Sequence, residues 1–180
     1  MKVLSFIFFL GVIIMPVRNY YISAETEKFF DKEIDRIIEE KAKKYDVRPT
    51  LIRGIINAES GNVIFSVRND TKALSRQKWA VQSAERLGID KDKYKFFSGG
   101  LMHPLYLNAV NFGFKGSFYE FLNPEVNIEI GVKILKGYLR KYKGDVEDAV
   151  SAYNMGSAKK KNGKYVNQDY VDKVMNWGNL

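Results

Sequence analysis

One glutamate interrupts an otherwise apolar helical stripe. The apolar positions of this stripe recur at helical spacing and are Leu51, Ile52, Ile55 and Ile56. Glu59 occupies the next position, because positions 51, 55 and 59 are each one helical turn apart. Burial disfavours the charged form of a carboxyl group, and the carbonyl end of a helix carries partial negative charge, so both effects would raise the pKa of Glu59. A raised carboxyl pKa suits a general acid near neutral pH. The alternative is a helix-end residue that bends out to solvent.

Two further stretches combine polar and apolar groups. Tyr153 lies on the apolar stripe of a later helix and Asn154 follows it, so a phenol and an amide could line a cleft beside the acid. The segment Gly99–Pro104 joins two glycines to two apolar residues and then to His103, which fits a loop that lies along a sugar chain. The alternatives are a core tyrosine and a glycine turn that enters a helix.

The composition excludes several kinds of site. The sequence contains no cysteine, so a thiol nucleophile, a disulfide and cysteine metal ligands are excluded. His103 is the single histidine, which also excludes a cluster of histidines around a metal. Carboxylates and tyrosines must therefore carry most of the chemistry, and we expect neither a metal nor another cofactor.

The N-terminus is typical of a secretory signal. Lys2 precedes an uncharged run over residues 3–15, Pro16 interrupts it, and Ala24 is a small residue at a suitable cleavage point. The run is short for a membrane span, which needs ~20 residues. We therefore expect residues 1–24 to be a signal peptide and residues 25–180 to form one domain, with an uncleaved membrane anchor as the alternative.

The charge balance fits an anionic partner. The formal net charge of +8 suits an anionic polymer such as a cell wall, and equally nucleic acid or anionic lipid. A lysine-rich segment is interpreted as a solvated loop that could contact carboxylates of the wall, and its members are Lys159, Lys160, Lys161 and Lys164. The export signal argues against a nucleic-acid partner, and we expect membrane contact only if residues 1–24 stay attached.

Helical spacing dominates the rest of the chain and must position the residues described above. The pattern predicts helices over residues 27–45, 49–59, 78–87, 104–112, 124–142, 146–155 and 169–176, with residues 63–73 and 159–164 irregular. One side of the third helix is predicted to carry Trp79, Ala80, Ala84 and Leu87. Because no run alternates as a strand does and no repeat is found, we expect an all-α, mainly helical single domain.

Four ordered segments resemble the lytic transglycosylases of the soluble-lytic type, relatives of goose-type lysozyme. They are Ile55–Gly61 with its Glu-Ser pair, Gly100–His103, which is similar to that family's Gly-Leu-Met-Gln, Asn123–Leu135, and Ala152–Gly156, which is like Ala-Tyr-Asn-x-Gly. The resemblance covers roughly residues 45–174. It implies a lysozyme-like fold and a cleft for alternating N-acetylglucosamine (GlcNAc) and N-acetylmuramic acid (MurNAc).

The resemblance also implies a reaction and a set of site residues. Glu59 matches the catalytic acid, which protonates the glycosidic oxygen and then takes a proton from the muramyl 6-hydroxyl, so that 1,6-anhydro ends form without hydrolysis. Substrate-binding positions would be Ser60, Arg68, Leu101, Met102, His103, Tyr153 and Asn154. The implied partner is peptidoglycan, acted on by an exported monomer in the periplasm or cell envelope, with secretion or phage-type machinery as a further partner.

Three departures from the family pattern are present. His103 stands where the family usually has Gln, and Arg68 stands where common members carry Ser. The gap from Glu59 to Gly100 is longer than in common members. It resembles a subset known from phage particles, with a helical insertion after the catalytic helix and a closing segment like Asn167–Val171.

These departures leave two other functions open. One is a muramidase that hydrolyses the same bond, for which Asp70 is the candidate second carboxylate that activates water. The other is a catalytically inactive, wall-binding component of a secretion or phage-type machine, which the change at His103 makes conceivable. The presence of Glu59 and Tyr153 argues against the inactive component.

Overall fold

The chain divides into two compact units, Met1–Arg36 and Ile37–Leu180. The computed structural model of the protein describes residues 3–4, 20–21, 24–74, 76–88 and 96–178. The predicted signal peptide over residues 1–24 therefore lies for the most part outside the described residues and stays a prediction. Among the helices of the described part, none has both the length and the apolar character that a membrane span requires.

The first unit contains one strand pair and the beginning of a long helix. Strand β1 (Val3–Leu4) pairs antiparallel with strand β2 (Tyr20–Tyr21). Helix α1 (Ala24–Tyr45) begins in this unit and ends in the second one. It starts three residues earlier than the predicted helix over residues 27–45 and ends at the predicted residue.

The second unit is mainly helical in its described residues, which confirms the predicted fold class. Its helices after α1 are α2 (Pro49–Glu59), α3 (Thr71–Leu74), α4 (Lys78–Arg86), α5 (Tyr106–Asn111), α6 (Phe118–Phe121), α7 (Pro124–Lys141), α8 (Val146–Met155) and α9 (Gln168–Trp177). Its strands are β3 (Val67–Asn69), β4 (Phe97–Gly99), β5 (Lys160–Lys161) and β6 (Lys164–Tyr165), which form the antiparallel pairs β3–β4 and β5–β6.

Local sequence signals explain several of the helix ends. Asn123 caps α7, because its side-chain oxygen accepts a hydrogen bond from the backbone N–H of Glu125 at 3.0 Å, and Pro124 follows at the first helical position. Asp145 caps α8 in the same way through Asp148 at 2.8 Å. Gly156 ends α8 with a left-handed φ of 77°, a conformation that glycine adopts without strain.

Helix α2 is at the centre of the packing. Its apolar stripe is buried, and Leu51, Ile52, Ile55 and Ile56 are each at most 1 % exposed. Each such side chain stabilises the fold by roughly 1.5–3 kcal/mol relative to an exposed one. Helix α9 packs closely on α2 because Gly54 has no side chain: a Cβ there would lie only 2.6 Å from the carbonyl oxygen of Val174. Helix α8 packs against both α7 and α9.

The segment between α2 and α5 contains the predicted helical insertion, in the form of α3 and α4. Ala80 and Ala84 of α4 are fully buried against Phe96 and Leu107. Trp79, which is predicted on the same side of the helix, has a 47 % exposed side chain, and its ring N–H donates to the Gln77 side chain at 2.6 Å. Ala80 and Ala84 lie one helical turn apart on the buried face of α4, and Trp79 lies outside that face.

Two regions predicted to be irregular contain short strands instead. In residues 63–73, β3 pairs with β4 and brings Arg68 opposite Ser98. In the lysine-rich segment, β5 and β6 form a hairpin whose turn residues, Asn162 and Gly163, have φ values of 53° and 78°. An Asn-Gly turn with two left-handed residues favours a two-residue hairpin. This turn signal could have been read from the sequence.

A cluster of charges joins the end of α1 to α7. Lys41 is only 3 % exposed and contacts Glu40, Glu125 and Glu129 at 3.0, 2.9 and 3.2 Å. Tyr45 donates a hydrogen bond to Glu129 at 2.6 Å. Burial opposes the charged form of Lys41, but the surrounding carboxylates outweigh it and raise the pKa of this lysine above its ordinary value. These ion pairs therefore connect the end of α1 to α7.

Candidate active site

Glu59 is the last residue of α2 and lies at the end of the buried stripe, as its spacing predicts. Its side chain is partly buried, and the hydroxyl of Tyr170 donates a hydrogen bond to Glu59 Oε1 at 2.8 Å. The side chain therefore does not bend out into solvent. The next residue, Ser60, uses its hydroxyl within the helix end, where it donates to the carbonyl oxygen of Ile56 at 3.0 Å.

Opposing influences act on the Glu59 carboxyl group. Burial is the largest and raises its pKa. Two kinds of interaction lower it: hydrogen bonds from Tyr170 and Asn154, and the positive charges of Arg68 and Lys173. The pKa of Glu59 nevertheless remains above its ordinary value. The group can therefore hold a proton at a higher pH than an exposed glutamate, while nearby donors stabilise it once the proton has left.

Tyr170 is a site residue that the sequence patterns do not mark individually, although it lies in the closing segment Asn167–Val171. The close contact of α9 with α2 at Gly54 brings its hydroxyl to the carboxylate. Burial and the nearby negative charge of Glu59 raise the pKa of Tyr170 well above its ordinary value, so the phenol stays protonated and acts as a donor. Its position one turn before the buried Val174 was the available sequence signal.

The glycine-containing loop is held by a buried asparagine of α7. Asn127 is fully buried and donates from Nδ2 to the carbonyl oxygen of Gly99 at 2.8 Å, while its Oδ1 accepts from the Met102 backbone N–H at 2.9 Å. Gly100 has a left-handed φ of 79°, and a Cβ there would lie 2.2 Å from Asn127 Nδ2. Only glycine fits this position without rearrangement.

The predicted substrate-binding residues of this loop, Leu101, Met102 and His103, are all buried. The side chains of Leu101 and Met102 are in the core, at 1 % and 0 % exposure, and Met102 packs against Gly131 of α7. These two side chains are thus packing groups of the loop. Tyr153 donates from its hydroxyl to the Met102 carbonyl oxygen at 2.9 Å, which ties α8 to the loop.

Asn154 follows Tyr153 on α8 and lies beside Glu59. The Asn154 side chain is exposed, and its Oδ1 accepts a hydrogen bond from Asn167 at 3.1 Å. The Asn154 side chain also donates a hydrogen bond to the Glu59 carboxyl group. Burial and the negative charge of Glu59 raise the pKa of Tyr153 well above its ordinary value. Two of the predicted residues, Tyr153 and Asn154, are therefore brought to the same carboxyl group.

His103 belongs to a chain of hydrogen bonds with one consistent direction. The single hydroxyl proton of Ser98 is donated to Asp70 Oδ2 at 2.7 Å, so Nδ1 of His103 must donate to Ser98 Oγ, 3.0 Å away. Its Nε2 then accepts from the Ser66 hydroxyl at 2.9 Å. Burial, reinforced by the charge of Arg68, lowers the pKa of His103 to about 4, so the ring is neutral near pH 7.

Asp70 and Arg68 form an ion pair at the edge of this network. Arg68 Nε lies 2.9 Å from Asp70 Oδ1, and the arginine side chain is 59 % exposed. The guanidinium is near enough to Glu59 and His103 to lower the pKa of both. Arg68 therefore faces the site, while both oxygens of the Asp70 carboxylate are engaged, by Arg68 and by Ser98.

The arrangement provides one carboxyl group with a raised pKa, neutral donors around it and two nearby positive charges, Arg68 and Lys173. Within the described ranges, no group of three or more histidine, cysteine, aspartate or glutamate residues is placed to hold a metal ion. Such a carboxyl group can donate a proton to a leaving oxygen and then accept one back.

Comparison with known proteins agrees with the geometry. The sequence model described as the transglycosylase SLT domain matches residues 36–176, a range that contains Glu59, the loop at residues 99–103, Tyr153 and Tyr170. No solved structure matches the chain significantly. Members of the matching family are lytic transglycosylases that act on peptidoglycan. The chain therefore belongs to the transglycosylase SLT domain family, within the lysozyme-like superfamily.

Proposed function

We propose that the protein cleaves the MurNAc-β-1,4-GlcNAc bond of peptidoglycan and leaves 1,6-anhydro-MurNAc ends, with Glu59 as its sole acid and base. The observation that carries this proposal is the state of the Glu59 carboxyl group. It is partly buried, its pKa is raised, and a phenol donates to it at 2.8 Å. It therefore combines the properties of an acid and, after proton transfer, of a stabilised base.

The reaction needs no external water. Glu59 in its protonated form donates its proton to the glycosidic oxygen, the bond to MurNAc C1 breaks, and the substrate acetamido group stabilises the positive charge. The Glu59 carboxylate then removes the proton from the MurNAc 6-hydroxyl, and that oxygen bonds to C1. Tyr170 and Asn154 stabilise the carboxylate between the two proton transfers, because both donate to it. The enzyme returns to its starting protonation state.

The position of Asp70 favours this reaction over a muramidase. A hydrolytic mechanism needs a carboxylate that is available to activate water. Both oxygens of Asp70 already accept hydrogen bonds, from Arg68 at 2.9 Å and from Ser98 at 2.7 Å. We therefore assign Asp70 to the support of Arg68 and His103 and not to water activation.

The remaining site residues are proposed to bind the glycan. Arg68 and Asn154 are exposed next to Glu59 and can donate to sugar hydroxyls or carboxylates. Ser60, His103 and Tyr153 shape the site through their own hydrogen bonds, and Leu101 and Met102 shape it by packing. We further propose that the protein is exported through residues 1–24 and acts as a monomer in the periplasm or cell envelope, without a cofactor.

Mass spectrometry of digested, purified sacculi tests the reaction type. Our proposal predicts muropeptides with 1,6-anhydro-MurNAc ends, which lack one water relative to hydrolysis products. Products with reducing MurNAc ends would instead identify a muramidase. Binding to sacculi without any released fragment would identify a catalytically inactive wall-binding component.

A further inference from the structure

We propose that Asn167 is a positioning residue that fixes the side-chain amide of Asn154, so that the NH2 group of Asn154 faces Glu59. This inference rests on the proposed function of Glu59 and adds a residue that acts through another one. Asn167 is the N-cap residue of α9, and Asn154 is near the end of α8.

The orientation of the Asn167 amide is fixed by Ser151. Asn167 Nδ2 donates to the backbone carbonyl oxygen of Ser151 at 3.1 Å, and a carbonyl oxygen can only accept. The opposite end of the amide, Oδ1, accepts from the Ser151 hydroxyl at 2.7 Å. Ser151 is fully buried, so neither contact can be exchanged for water without cost. The two ends of the Asn167 amide are thereby assigned without ambiguity.

The orientation of the Asn154 amide follows from that of Asn167. The second hydrogen of Asn167 Nδ2 is donated to Asn154 Oδ1 at 3.1 Å. Since the oxygen of Asn154 is engaged on this side, its NH2 group is the end that can reach Glu59, and Asn154 does act on that carboxyl as a donor. An amide turned by 180° would present its oxygen to the carboxylate and would repel it.

The usual role of an N-cap residue does not account for the hydrogen bonds of the Asn167 side chain. An N-cap asparagine normally accepts a hydrogen bond from the first turn of its own helix, but Asn167 makes no such bond. Its hydrogen bonds go to α8 instead. Tyr170 lies one turn further along α9 and donates directly to Glu59. The first turn of α9 therefore controls both donors, one directly and one through Asn154.

The test compares Asn167→Ala, Asn154→Ala and the double variant, with Asn176→Ala as the control on the same helix. Carbon-13 NMR of glutamate-labelled protein, with the Glu59 signal assigned by Glu59→Gln, reads the pKa of the Glu59 carboxyl without requiring activity. We expect Asn167→Ala and Asn154→Ala each to raise this pKa by about 0.5–1 pH unit. The double variant should equal Asn154→Ala alone, and Asn176→Ala should match the wild type.

Two results would overturn the inference: an unchanged Glu59 pKa in Asn167→Ala, or a shift that persists at full size when Asn154 is already absent. If Asn167→Ala does not fold, Ser151→Ala serves instead, because it removes one of the two contacts that orient Asn167, and it should give a smaller shift of the same sign. Those of the Asn167→Ala and Asn154→Ala variants that still cleave sacculi should also show the alkaline limb of their kcat/KM profile displaced to higher pH. Absence of cleavage by the wild type would contradict the proposed function, whereas the NMR titration would still decide on Asn167.

Discussion

At the scale of single residues, the site depends on how one carboxyl group is balanced between two protonation states. Burial raises the pKa of Glu59, and the hydrogen-bond donors Tyr170 and Asn154 lower it by stabilising the carboxylate. A group that must first give and then take the same proton needs both influences. A fully exposed glutamate would lose its proton too easily, and a buried one without donors would not release it.

Substitution of Tyr170 by phenylalanine removes one of these donors and keeps the ring. Because the phenol hydrogen bond lowers the pKa of Glu59, its loss should raise that pKa and move the alkaline limb of kcat/KM to higher pH by roughly one unit. The measurement is the pH–rate profile on solubilised glycan strands. Tyr119→Phe is the matched control, since that ring is 81 % exposed. An unchanged limb would mean that the phenol does not act on Glu59.

His103 provides a prediction for stability, because its pKa is about 4 in the folded protein and 6.5 ordinarily. As the pH falls, the unfolded chain takes up this proton at a higher pH than the folded protein does. The contribution of His103 to the free energy of unfolding is therefore complete above pH 6.5 and is lost as the pH falls toward 4. The loss amounts to on the order of 3 kcal/mol. Urea unfolding across this range should show it in the wild type.

His103→Gln is the matched variant for that titration. Glutamine does not titrate, so the variant should lack this part of the pH dependence, although it can be less stable at every pH because position 103 has a left-handed φ of 50°. Parallel stability curves for the two proteins between pH 6.5 and 4 would show that the ring is not held in its neutral form.

The sequence identifies some of these residues and misses others for a physical reason. Glu59 stands out because it breaks the apolar stripe of its own helix, which is a local pattern. Tyr170 lies 111 positions away, and its contact depends on how closely α9 approaches α2. Ser66 and Ser98 are likewise connected to His103 only in the folded chain, so no local pattern marks them.

At the scale of elements, the approach of α9 to α2 sets the distance between the acid and its phenol donor. Gly54 permits this approach, because any larger side chain would meet the backbone of Val174. On the other side of the site, Asn127 of α7 holds the loop from Gly99 to Met102 by hydrogen bonds to its backbone. Both contacts involve backbone atoms, which cannot move aside as a side chain can.

Gly54→Ala should therefore separate the two helices. We expect a loss of about 1–3 kcal/mol in the free energy of unfolding and a lower kcat, because Tyr170 moves away from Glu59. Gly137→Ala in α7 is the control, since nothing lies within 4 Å of its added Cβ, and it should stabilise the protein by about 1 kcal/mol. Chemical denaturation and rates on sacculi measure both effects. Equal stabilities for the two variants would contradict the close contact.

The longer helices could be predicted, and the strand pair β3–β4 could not. Helices α2, α7, α8 and α9 begin and end within about one residue of their predicted bounds, because proline, capping side chains and glycine mark their ends. Strand β3 has three residues, all exposed, and therefore shows no alternation of apolar and polar side chains. It forms because β4 is brought beside it, which is a tertiary effect.

At the scale of the whole molecule, charged groups outside the site hold helices together. The cluster around Lys41 connects the end of α1 to α7, the helix that also holds the loop through Asn127. Within it, burial acts to raise the pKa of Glu129, but Tyr45, Lys44 and Lys41 together lower it to about 2. Part of the positive charge of the sequence is thus paired with Glu129 in the fold.

Glu129 makes the stability of the protein depend on pH in a second, more acidic range. Its folded pKa lies below the ordinary value of 4.5, so its contribution is complete above pH 4.5 and is lost as the pH falls toward 2. Allowing for partial exposure, we expect a loss of about 2 kcal/mol. Glu129→Gln should be less stable near neutral pH and show a flatter curve between pH 4.5 and 2 in urea titrations. A variant curve that falls as steeply as that of the wild type would contradict this assignment.

The most direct test of the account is the yield of 1,6-anhydro-MurNAc ends from purified sacculi, measured by mass spectrometry for the wild type, Glu59→Gln and the exposed control Glu39→Gln. Thermal unfolding of each variant shows that it is folded. We predict that the wild type and Glu39→Gln release anhydro products at similar rates and that Glu59→Gln is slower by at least about 100-fold. Anhydro products from Glu59→Gln at the wild-type rate would contradict the account, because the proton would then have to come from another group.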